Sequence, residues 1–240
     1  SVMIIAIDVG NSRLKWGLHD GRGWRERGTL PTAEAAALAD VATGWPVQAR
    51  VVACNVAGQT AEDAVTAALQ GRYSVRWLRA SAAACGVRNA YERPETLGAD
   101  RWAALIGARS RNQGDCLVVC AGTATTIDYL DAEGVFRGGL ILPGLHLMRA
   151  SLARNTANLP LAEGRFCAEP RSTADAITSG CLFAQCAAIT SRFISLPAGA
   201  GCLLTGGAAA VIAPYLNIPH VLEENLILDG LAHFANAQIA

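Results

Sequence analysis

The amino-acid sequence predicts an α/β protein built from two similar lobes around a cleft. A buried apolar strand, a tight turn and a returning strand open the chain, and the same pattern recurs just after residue 113. Strands alternate with helices along the rest of each half, which favours parallel pairing onto the opening strands. With 240 residues, 52% of them hydrophobic, the chain is long enough for two small domains. We therefore expect one lobe over residues 1–113 and another over residues 114–240.

The first lobe is expected to begin as an antiparallel meander. Its first strand is β-branched and apolar, and its second alternates apolar with polar residues. The predicted strands are Met3–Asp8, Leu14–Leu18, Gly21–Leu30, Arg50–Cys54 and Tyr73–Leu78. The predicted helices are Thr32–Thr43, Thr60–Gly71 and Glu95–Arg111, with Thr32 and Thr60 as N-caps and with Ala80–Pro94 as a loop before the third helix.

The second lobe repeats the opening pattern, and no low-complexity linker separates it from the first. Its predicted strands are Cys116–Cys120, Thr126–Leu130, Val135–Leu142, Gly201–Thr205 and Pro219–Leu222. Its predicted helices are Pro143–Arg154, which starts with proline, Ser172–Ser195, a short one within Gly206–Leu216, and Leu226–Ala237. Ser172 or Thr173 is expected to cap the longest of them.

The charge balance excludes several classes of protein. Lys and Arg total 20, Asp and Glu also total 20, and the net charge is zero, so no basic excess is present to neutralise a nucleic-acid backbone. High apolar content without net charge also excludes intrinsic disorder. Every long apolar run is broken by Gly, Pro or a charge, and no basic segment precedes the apolar opening. We therefore expect neither a membrane span nor a cleavable signal peptide.

Cysteine and lysine usage is informative. The 8 cysteines form no Cys-x-x-Cys pair and lie mostly in apolar runs, which is typical of small buried residues in a reducing compartment. Lys15 is the single lysine among 20 basic residues. Its compact ammonium suits a phosphate group better than a guanidinium would in some geometries, although chance retention on a strand is an equal alternative.

The first segment with residues suited to catalysis or ligand binding is Asp8–Lys15. A tight turn at Gly10 would let backbone N–H groups approach an anion, and Asn11, Ser12 and Lys15 can donate to phosphate oxygens. Asp8 at the strand end can hold a hydrated Mg²⁺. The segment is not a Walker A loop, and taken alone it is equally well an ordinary hairpin.

Further segments suggest a second turn and an acceptor site. Cys120–Asp128 has the same place in the second lobe as the first turn has in the first lobe. Its small residues and threonine hydroxyls are what a second phosphate-binding turn would require. In Leu97–Arg101, Asp100 can take a proton from an attacking hydroxyl and Arg101 can pair with a substrate carboxylate, although an exposed charge pair is the simpler reading. Gly138–Gly144 and Thr205–Gly207 are glycine-rich entries to helices.

The order and spacing of these five segments resemble the type III pantothenate kinases, also named after the Bvg accessory factor. The resemblance covers nearly the whole chain. It implies two ribonuclease-H-like lobes of the acetate/sugar kinase, chaperone ATPase and actin superfamily. It further implies phosphorylation of pantothenate by ATP, the first step of coenzyme A synthesis, in a cytoplasmic homodimer that uses Mg²⁺ and a monovalent cation such as K⁺ or NH₄⁺. No nucleic-acid or membrane partner is expected.

The resemblance also implies roles for individual residues. Asp100 matches the general base, and Lys15 joins it as a catalytic residue. The ATP-binding positions are Asp8, Val9, Gly10, Asn11, Ser12, Arg13, Leu14, Lys15 and Thr123. The substrate-binding positions are Tyr91, Gly98, Ala99, Asp100, Arg101 and Thr173. Asp8 is the expected Mg²⁺ contact, through water.

Two positions depart from the family pattern. Cys120 stands where many members carry the Asp that binds the monovalent cation, and a neutral thiol is a poor ligand for K⁺. The monovalent-cation requirement therefore is in question, unless backbone carbonyls hold the ion. Ser12 replaces the usual Thr and keeps the hydroxyl.

Two other functions stay open at this stage. One is a kinase of the same superfamily with another small acceptor, which the match of Tyr91 and Gly98–Arg101 disfavours. The other is a nucleotide-binding regulatory protein with little catalysis. The residues that disfavour it are Asp8, Lys15, Asp100 and Thr123. ATP turnover with and without pantothenate would separate them.

Overall fold

The structure is a computed structural model that describes residues 2–159, 161 and 163–237. The chain forms two compact units. Unit 1 comprises Ser1–Gln113, Glu133–Arg137 and Asn225–Ala240, and unit 2 comprises Gly114–Ala132 and Gly138–Glu224. The C-terminal helix and a short internal segment thus group with unit 1 rather than with the second half of the chain.

Unit 1 contains the expected meander, extended by two parallel strands. Its strands are β1 (Ile4–Val9), β2 (Arg13–His19), β3 (Trp24–Pro31), β4 (Arg50–Asn55) and β5 (Val75–Trp77), in the sheet order β3-β2-β1-β4-β5. The β1–β2 and β2–β3 pairs are antiparallel, whereas β1–β4 and β4–β5 are parallel. Its helices are α1 (Leu38–Val41), α2 (Gln59–Leu69) and α3 (Ala99–Arg111), together with α7 (Leu226–Ala237).

The period of two in these strands determines which side chains form the core of unit 1. Ile5, Ile7 and Val9 of β1 share one face and join Leu14 and Trp16 of β2 in a single apolar cluster. The α2 residues Val65 and Leu69 pack into the same cluster. The opposite face of β1 includes Asp8, so the alternation that builds the core also sets this carboxylate on the other side of the sheet.

Helix α7 packs directly against α3 because glycines line their contact. A Cβ on Gly107 would overlap the Leu226 carbonyl oxygen, and one on Gly230 would overlap the Ala103 carbonyl oxygen. Asp229 adds polar links, accepting hydrogen bonds from Trp24 Nε1 at 2.8 Å and from Arg111 at 2.6 Å. These long-range contacts explain why the last helix belongs to unit 1.

Unit 2 repeats the strand order of unit 1. Its strands are β8 (Cys116–Ala121), β9 (Ala124–Leu130), β10 (Val135–Pro143, whose first residues belong to unit 1), β11 (Gly201–Thr205) and β12 (Val221–Leu222). Their order, β10-β9-β8-β11-β12, corresponds strand for strand to β3-β2-β1-β4-β5. The helices are α4 (Leu145–Asn155), α5 (Thr173–Ile194) and α6 (Ala209–Ile212). The duplication expected from the sequence is confirmed.

Several local predictions are wrong. Residues 32–44 form two 3-10 helices on either side of the single turn of α1, not one continuous α-helix. The Thr32 hydroxyl donates to the Gly10 carbonyl oxygen instead of capping a helix. Helix α2 is preceded at its N-cap by Gly58, with a φ of 89°, rather than by Thr60. Pro143 ends β10, and Gly144 precedes α4. In each case a tertiary contact or a glycine conformation overrides the local capping signal.

The stretch expected to be a loop before α3 contains a small hairpin. Its strands are β6 (Ala83–Ala84) and β7 (Val87–Asn89), with Cys85 and Gly86 at positive φ in the turn. β7 also pairs in parallel with the start of β10 through Arg88 and Asn89. Strands this short carry no periodicity that a sequence pattern could reveal.

None of the eight cysteines, all of which lie among the described residues, forms a disulfide, and five of them are buried, as expected of small apolar residues. Helix α5 is long and apolar enough, by length and composition alone, to cross a membrane; its most apolar window has a mean hydropathy of 1.2, and 33% of it is buried. This is weak evidence, because a core helix passes the same test. Leu182, Cys186 and Ile189 of α5 belong to the apolar core of unit 2.

Candidate active site

Lys15, Asp8 and Cys54 form a row across three neighbouring strands of unit 1. The β1–β2 pairing places Asp8 opposite Lys15, and the β1–β4 pairing places it opposite Cys54. Residues opposite each other in a sheet project from the same face, so the ammonium, carboxylate and thiol are neighbours. The Cys54 thiol donates a hydrogen bond to Asp8 Oδ1 at 3.5 Å. The row lies near the carboxyl ends of β1 and β4, the edge where open α/β sheets bind ligands.

The turn that follows β1 has a defined backbone conformation. The Gly10 N–H donates to the Arg13 carbonyl oxygen at 3.0 Å, and the Thr32 hydroxyl donates to the Gly10 carbonyl oxygen at 2.6 Å. A Cβ at position 10 would lie 2.9 Å from the Arg13 carbonyl oxygen, so the turn needs glycine there. Asn11, Ser12 and Arg13 are exposed at the tip, where backbone and side-chain donors can meet an anion.

Asp100 lies close enough to Asp8 for their charges to interact. Burial, and after it the negative charge of Asp100, raise the pKa of Asp8 to about 6, against the lowering effects of Lys15 and of the Cys54 hydrogen bond. Burial also raises the pKa of Asp100, against the lowering effect of Arg101. The carboxylates of Asp8 and Asp100 are thus both desolvated and lie near the Lys15 ammonium. Such a pair favours the binding of a cation, and its raised pKa values make the carboxylates more basic than usual.

The start of α3 sets the position of the Asp100 carboxylate. Gly98 precedes the helix, and Asp100 Oδ1 accepts the Arg101 N–H at 2.7 Å. A Cβ on Gly98 would lie 2.8 Å from that same oxygen, so a side chain there would displace the carboxylate. Leu97 and Ala99, on either side of Gly98, are buried. The observed position of the Asp100 carboxylate therefore requires glycine at residue 98.

Arg101 lies against two neighbouring aromatic rings. Only 5% of the residue is exposed, and its guanidinium carbon lies 5.7 Å from the ring centroids of both Tyr91 and Phe136. Arg101 Nη1 donates to the Tyr91 hydroxyl at 3.0 Å, and the two rings lie 5.1 Å apart. A guanidinium oriented in this way suits a substrate carboxylate, because its planar donors are already directed.

The second predicted turn and Thr173 lie in unit 2. Thr123 is exposed between β8 and β9, and its carbonyl oxygen accepts the Gly144 N–H at 2.8 Å. The hydroxyls of Thr125 and Thr126 are buried and have no hydrogen-bond partner within the described residues, so they are not available to a phosphate at the surface. Cys120 is the penultimate residue of β8, opposite Thr126.

The N-terminus of α5 is capped by Ser172, whose hydroxyl accepts the Asp175 N–H at 3.1 Å. Thr173 is the first helical residue and is exposed. Its side chain is thus not used as the cap, and its predicted substrate contact stays a prediction.

The structure brings together the predicted residues of unit 1 in two groups. Asp8, Lys15 and Asp100 form one, and Arg101 with Tyr91 forms the other. Sequence reasoning missed Cys54, Phe136 and Asn89. An Asn two residues before an aromatic residue and five before a proline is a signal for a side-chain-stabilised turn and could have identified Asn89. No local signal identifies Phe136, because it reaches Arg101 from a segment 35 positions further along the chain.

The donor set can be tested against a metal ion. No group of three or more His, Cys, Asp or Glu side chains within the described residues could hold an ion alone. Mg²⁺ needs no such cage, since it keeps several waters and binds through one or two carboxylates together with substrate phosphates. The desolvated Asp8 carboxylate, with the like charge of Asp100 beside it, fits that requirement.

The chain is similar to known proteins over most of its length. The family model described as type III pantothenate kinase matches residues 4–194. A type III pantothenate kinase of Aromatoleum aromaticum is 53% identical over 99% of this chain and 100% of its own length.

Two solved structures show the same fold. A Baf family protein of Campylobacter jejuni, described as a transcriptional activator, has a TM-score of 0.65 at 20% identity and 98% coverage of both chains. MreB 5 of Spiroplasma citri, bound to AMPPNP, has a TM-score of 0.52 at 11% identity, covering 100% of this chain and 97% of its own. The fold is therefore that of the actin-like ATPases. Together with the family match and the 53% identity, this shows that the chain is a member of the type III pantothenate kinase family.

Proposed function

We propose that this protein transfers the γ-phosphoryl group of ATP to the primary hydroxyl of pantothenate, the first step of coenzyme A biosynthesis. The observation that carries the proposal is the grouping of Asp8, Lys15 and Asp100 at one sheet edge. Arg101, the next residue of α3 after Asp100, is buried against the rings of Tyr91 and Phe136. A phosphoryl-transfer site and a carboxylate-binding group thus lie side by side. Family membership supports the same reaction.

On the acceptor side, Asp100 orients the pantothenate hydroxyl and accepts its proton as the new P–O bond forms. Its raised pKa makes it a stronger base than an ordinary aspartate. Arg101 binds the pantothenate carboxylate, and the Tyr91 hydroxyl and ring hold the guanidinium in place. Gly98 and Ala99 allow the acceptor to approach the start of α3. Positioning of the hydroxyl in line with the phosphoryl group supplies much of the rate enhancement.

On the donor side, the Gly10 turn and Lys15 bind ATP phosphate oxygens. Backbone N–H groups and an ammonium can balance the charge that spreads over the transferred group. Asp8 would hold Mg²⁺ through water, and the bound ion would neutralise phosphate charge. We propose direct transfer with no covalent phosphoenzyme. The role of Thr123 as an ATP contact, and those of Val9 and Leu14, which are buried and would act through their backbone, belong to the same proposal.

The proposal is tested by coupled ADP release with MgATP in the presence and absence of pantothenate, with Na⁺, K⁺ or NH₄⁺ as the monovalent cation. We expect ADP release that depends on pantothenate. ATP binding without pantothenate-dependent turnover in any salt would contradict the proposal and favour another acceptor or a regulatory role.

Lys15→Ala is expected to lower kcat/KM for ATP about tenfold or more, because a charge-assisted hydrogen bond to phosphate is lost. Steady-state kinetics with varied ATP measure this effect. Lys15→Arg is the matched control, since it keeps the positive charge and should retain more activity than the alanine variant. Unchanged ATP kinetics in Lys15→Ala would mean that the single lysine is a compositional accident.

Cys120→Asp is expected to create or strengthen a response of the rate to K⁺ over Na⁺, because it adds the hard oxygen ligand that K⁺ prefers. The wild-type protein should show the smaller response. The measurement is the ratio of initial rates in matched KCl and NaCl, with melting temperatures in both salts as a check on folding. A strong K⁺ requirement in the wild type would instead indicate that backbone carbonyls hold the ion.

The quaternary structure and location belong to the same proposal. We propose a cytoplasmic homodimer without nucleic-acid or membrane partners, with units 1 and 2 as the two ribonuclease-H-like lobes. The duplicated strand order supports the lobes. Phe183 and Ile194, 69% and 72% exposed on α5, offer apolar surface for a second copy. Light scattering of the purified protein tests the oligomeric state.

A further inference from the structure

Asn89 is a buried amide next to the acceptor side of the site. It is the last residue of β7 and only 9% exposed, and it pairs in register with Phe136 of β10. Its backbone N–H donates to the Ala82 carbonyl oxygen at 2.9 Å, so β7 is anchored on both sides. A polar side chain buried at such a position requires partners, because an unsatisfied amide would cost free energy.

The Asn89 side chain bridges the two ends of the following loop. Asn89 Oδ1 accepts the Tyr91 N–H at 3.1 Å, and Nδ2 donates to the Pro94 carbonyl oxygen at 3.0 Å. Tyr91 N–H can only donate and the carbonyl of Pro94 can only accept, so the two contacts determine the orientation of the amide. The Pro94 carbonyl oxygen also accepts the Leu97 N–H at 3.3 Å. One amide thus fixes the loop between β7 and α3.

This loop carries one residue of the acceptor site and leads into the others. Tyr91 accepts the hydrogen bond from Arg101 through its hydroxyl, and its ring rests against Phe136. The loop ends at Leu97, immediately before Gly98 and the helix turn that bears Asp100. A shift of the loop would therefore move the partner of Arg101 and the entry to α3 together.

We propose that Asn89 is a positioning residue for the acceptor substrate, acting through Tyr91 and Arg101 without touching the substrate. This inference rests on the proposed function, since the acceptor whose binding it governs is the carboxylate-bearing alcohol assigned above. The turn after β1, which is proposed to bind ATP, is a different segment with hydrogen bonds of its own, from the Gly10 N–H to the Arg13 carbonyl oxygen and from the Thr32 hydroxyl to the Gly10 carbonyl oxygen. Loss of the amide should therefore weaken acceptor binding selectively.

The test compares Asn89→Ala with the wild type and with Gln113→Ala. Gln113 is the matched control, because its side-chain amide also donates to a backbone carbonyl in unit 1, that of Arg109 at 2.7 Å, but it lies at the far end of α3. We expect Asn89→Ala to raise KM for pantothenate about tenfold, the effect of losing buried hydrogen bonds, and to change KM for ATP less than twofold. Gln113→Ala should change neither constant.

A second pair of variants covers the case in which Asn89→Ala does not fold. Asn89→Asp has the same size and keeps the acceptor for Tyr91 N–H, but it loses the donor to Pro94, so it should also raise KM for pantothenate selectively. A double-mutant cycle with Tyr91→Phe adds a readout that a purely structural role would not move: the effect of the Asn89 variant should shrink when the Tyr91 hydroxyl is absent.

Three outcomes would overturn the inference. They are an unchanged KM for pantothenate in folded Asn89 variants, a proportional rise of both KM values, and full additivity with Tyr91→Phe. If the wild type shows pantothenate-dependent turnover and one of these results is obtained, only the positioning role of Asn89 is rejected. Absence of pantothenate-dependent turnover in the wild type rejects the proposed function, and this inference with it.

Discussion

Asp100→Asn is expected to lower kcat by at least tenfold, and by up to the factor of about 10²–10⁴ that general acid–base groups supply. The amide keeps the size of the side chain and an oxygen for the Arg101 N–H, but it cannot accept the proton of the attacking hydroxyl. Some activity should persist, because a loose phosphoryl-transfer transition state needs little proton transfer. The measurement is kcat at saturating MgATP and pantothenate.

The pH dependence of kcat offers a second test of the same assignment. A base is active when deprotonated, so wild-type kcat should fall as the pH is lowered through the raised pKa of Asp100. The Asn variant has no such group and should lose the part of the pH profile that Asp100 causes.

Stability provides the folding control. Because the folded-state pKa of Asp100 is raised, its contribution to stability is greatest at low pH and is lost as the pH rises through that pKa. Removal of the charge should therefore not lower the melting temperature at neutral pH. Asp63→Asn, which changes a carboxylate on the surface of α2, controls for charge loss and should leave kcat unchanged. A drop in kcat below tenfold with the fold intact would falsify the base assignment.

Gly230→Ala is expected to destabilise the protein by about 3 kcal/mol, the upper part of the usual range for overpacking. The added Cβ would overlap the Ala103 carbonyl oxygen and lie 3.0 Å from the Gly107 backbone nitrogen. These are backbone atoms of the facing helix, so no side chain can rotate away, and the two helices must separate. The melting temperature should fall by roughly 10 °C for a protein of this size.

Gly180→Ala is the matched control for the loss of a helical glycine. Gly180 lies inside α5, it is exposed, and a Cβ there would meet nothing within 4 Å. Alanine should therefore stabilise the helix by roughly 0.5–1 kcal/mol. Equal melting temperatures for the wild type and Gly230→Ala would show that the contact between α3 and α7 can relax, contrary to the expectation.

The expected separation of α3 and α7 also bears on activity. α3 carries Asp100 and Arg101 at its first turn, and α7 holds this helix through Gly230 and Asp229. Well below the melting temperature, Gly230→Ala should therefore reduce kcat/KM for pantothenate, whereas Gly180→Ala should not.

The sequence alone determined most strands and the order of the two halves. Period-two runs such as Ile4–Val9 and Cys116–Ala121 are readable because each strand has its own apolar pattern. Ser172 and Asp175 at the start of α5 are also a local signal, since a cap and its partner lie three residues apart. The residues that carry the family resemblance were predictable for the same reason: they occur in short segments of fixed order.

Only the tertiary structure decided how these segments meet. Lys15, Asp8 and Cys54 become neighbours through the register of three strands, and Phe136 reaches Arg101 from a distant segment. The last helix joins unit 1 because Gly107 and Gly230 let two backbones touch. Apart from the pairing of Asp8 with Lys15 across one hairpin, each of these depends on contacts between residues far apart in the chain, and a local pattern of hydrophobicity or capping holds no information about them.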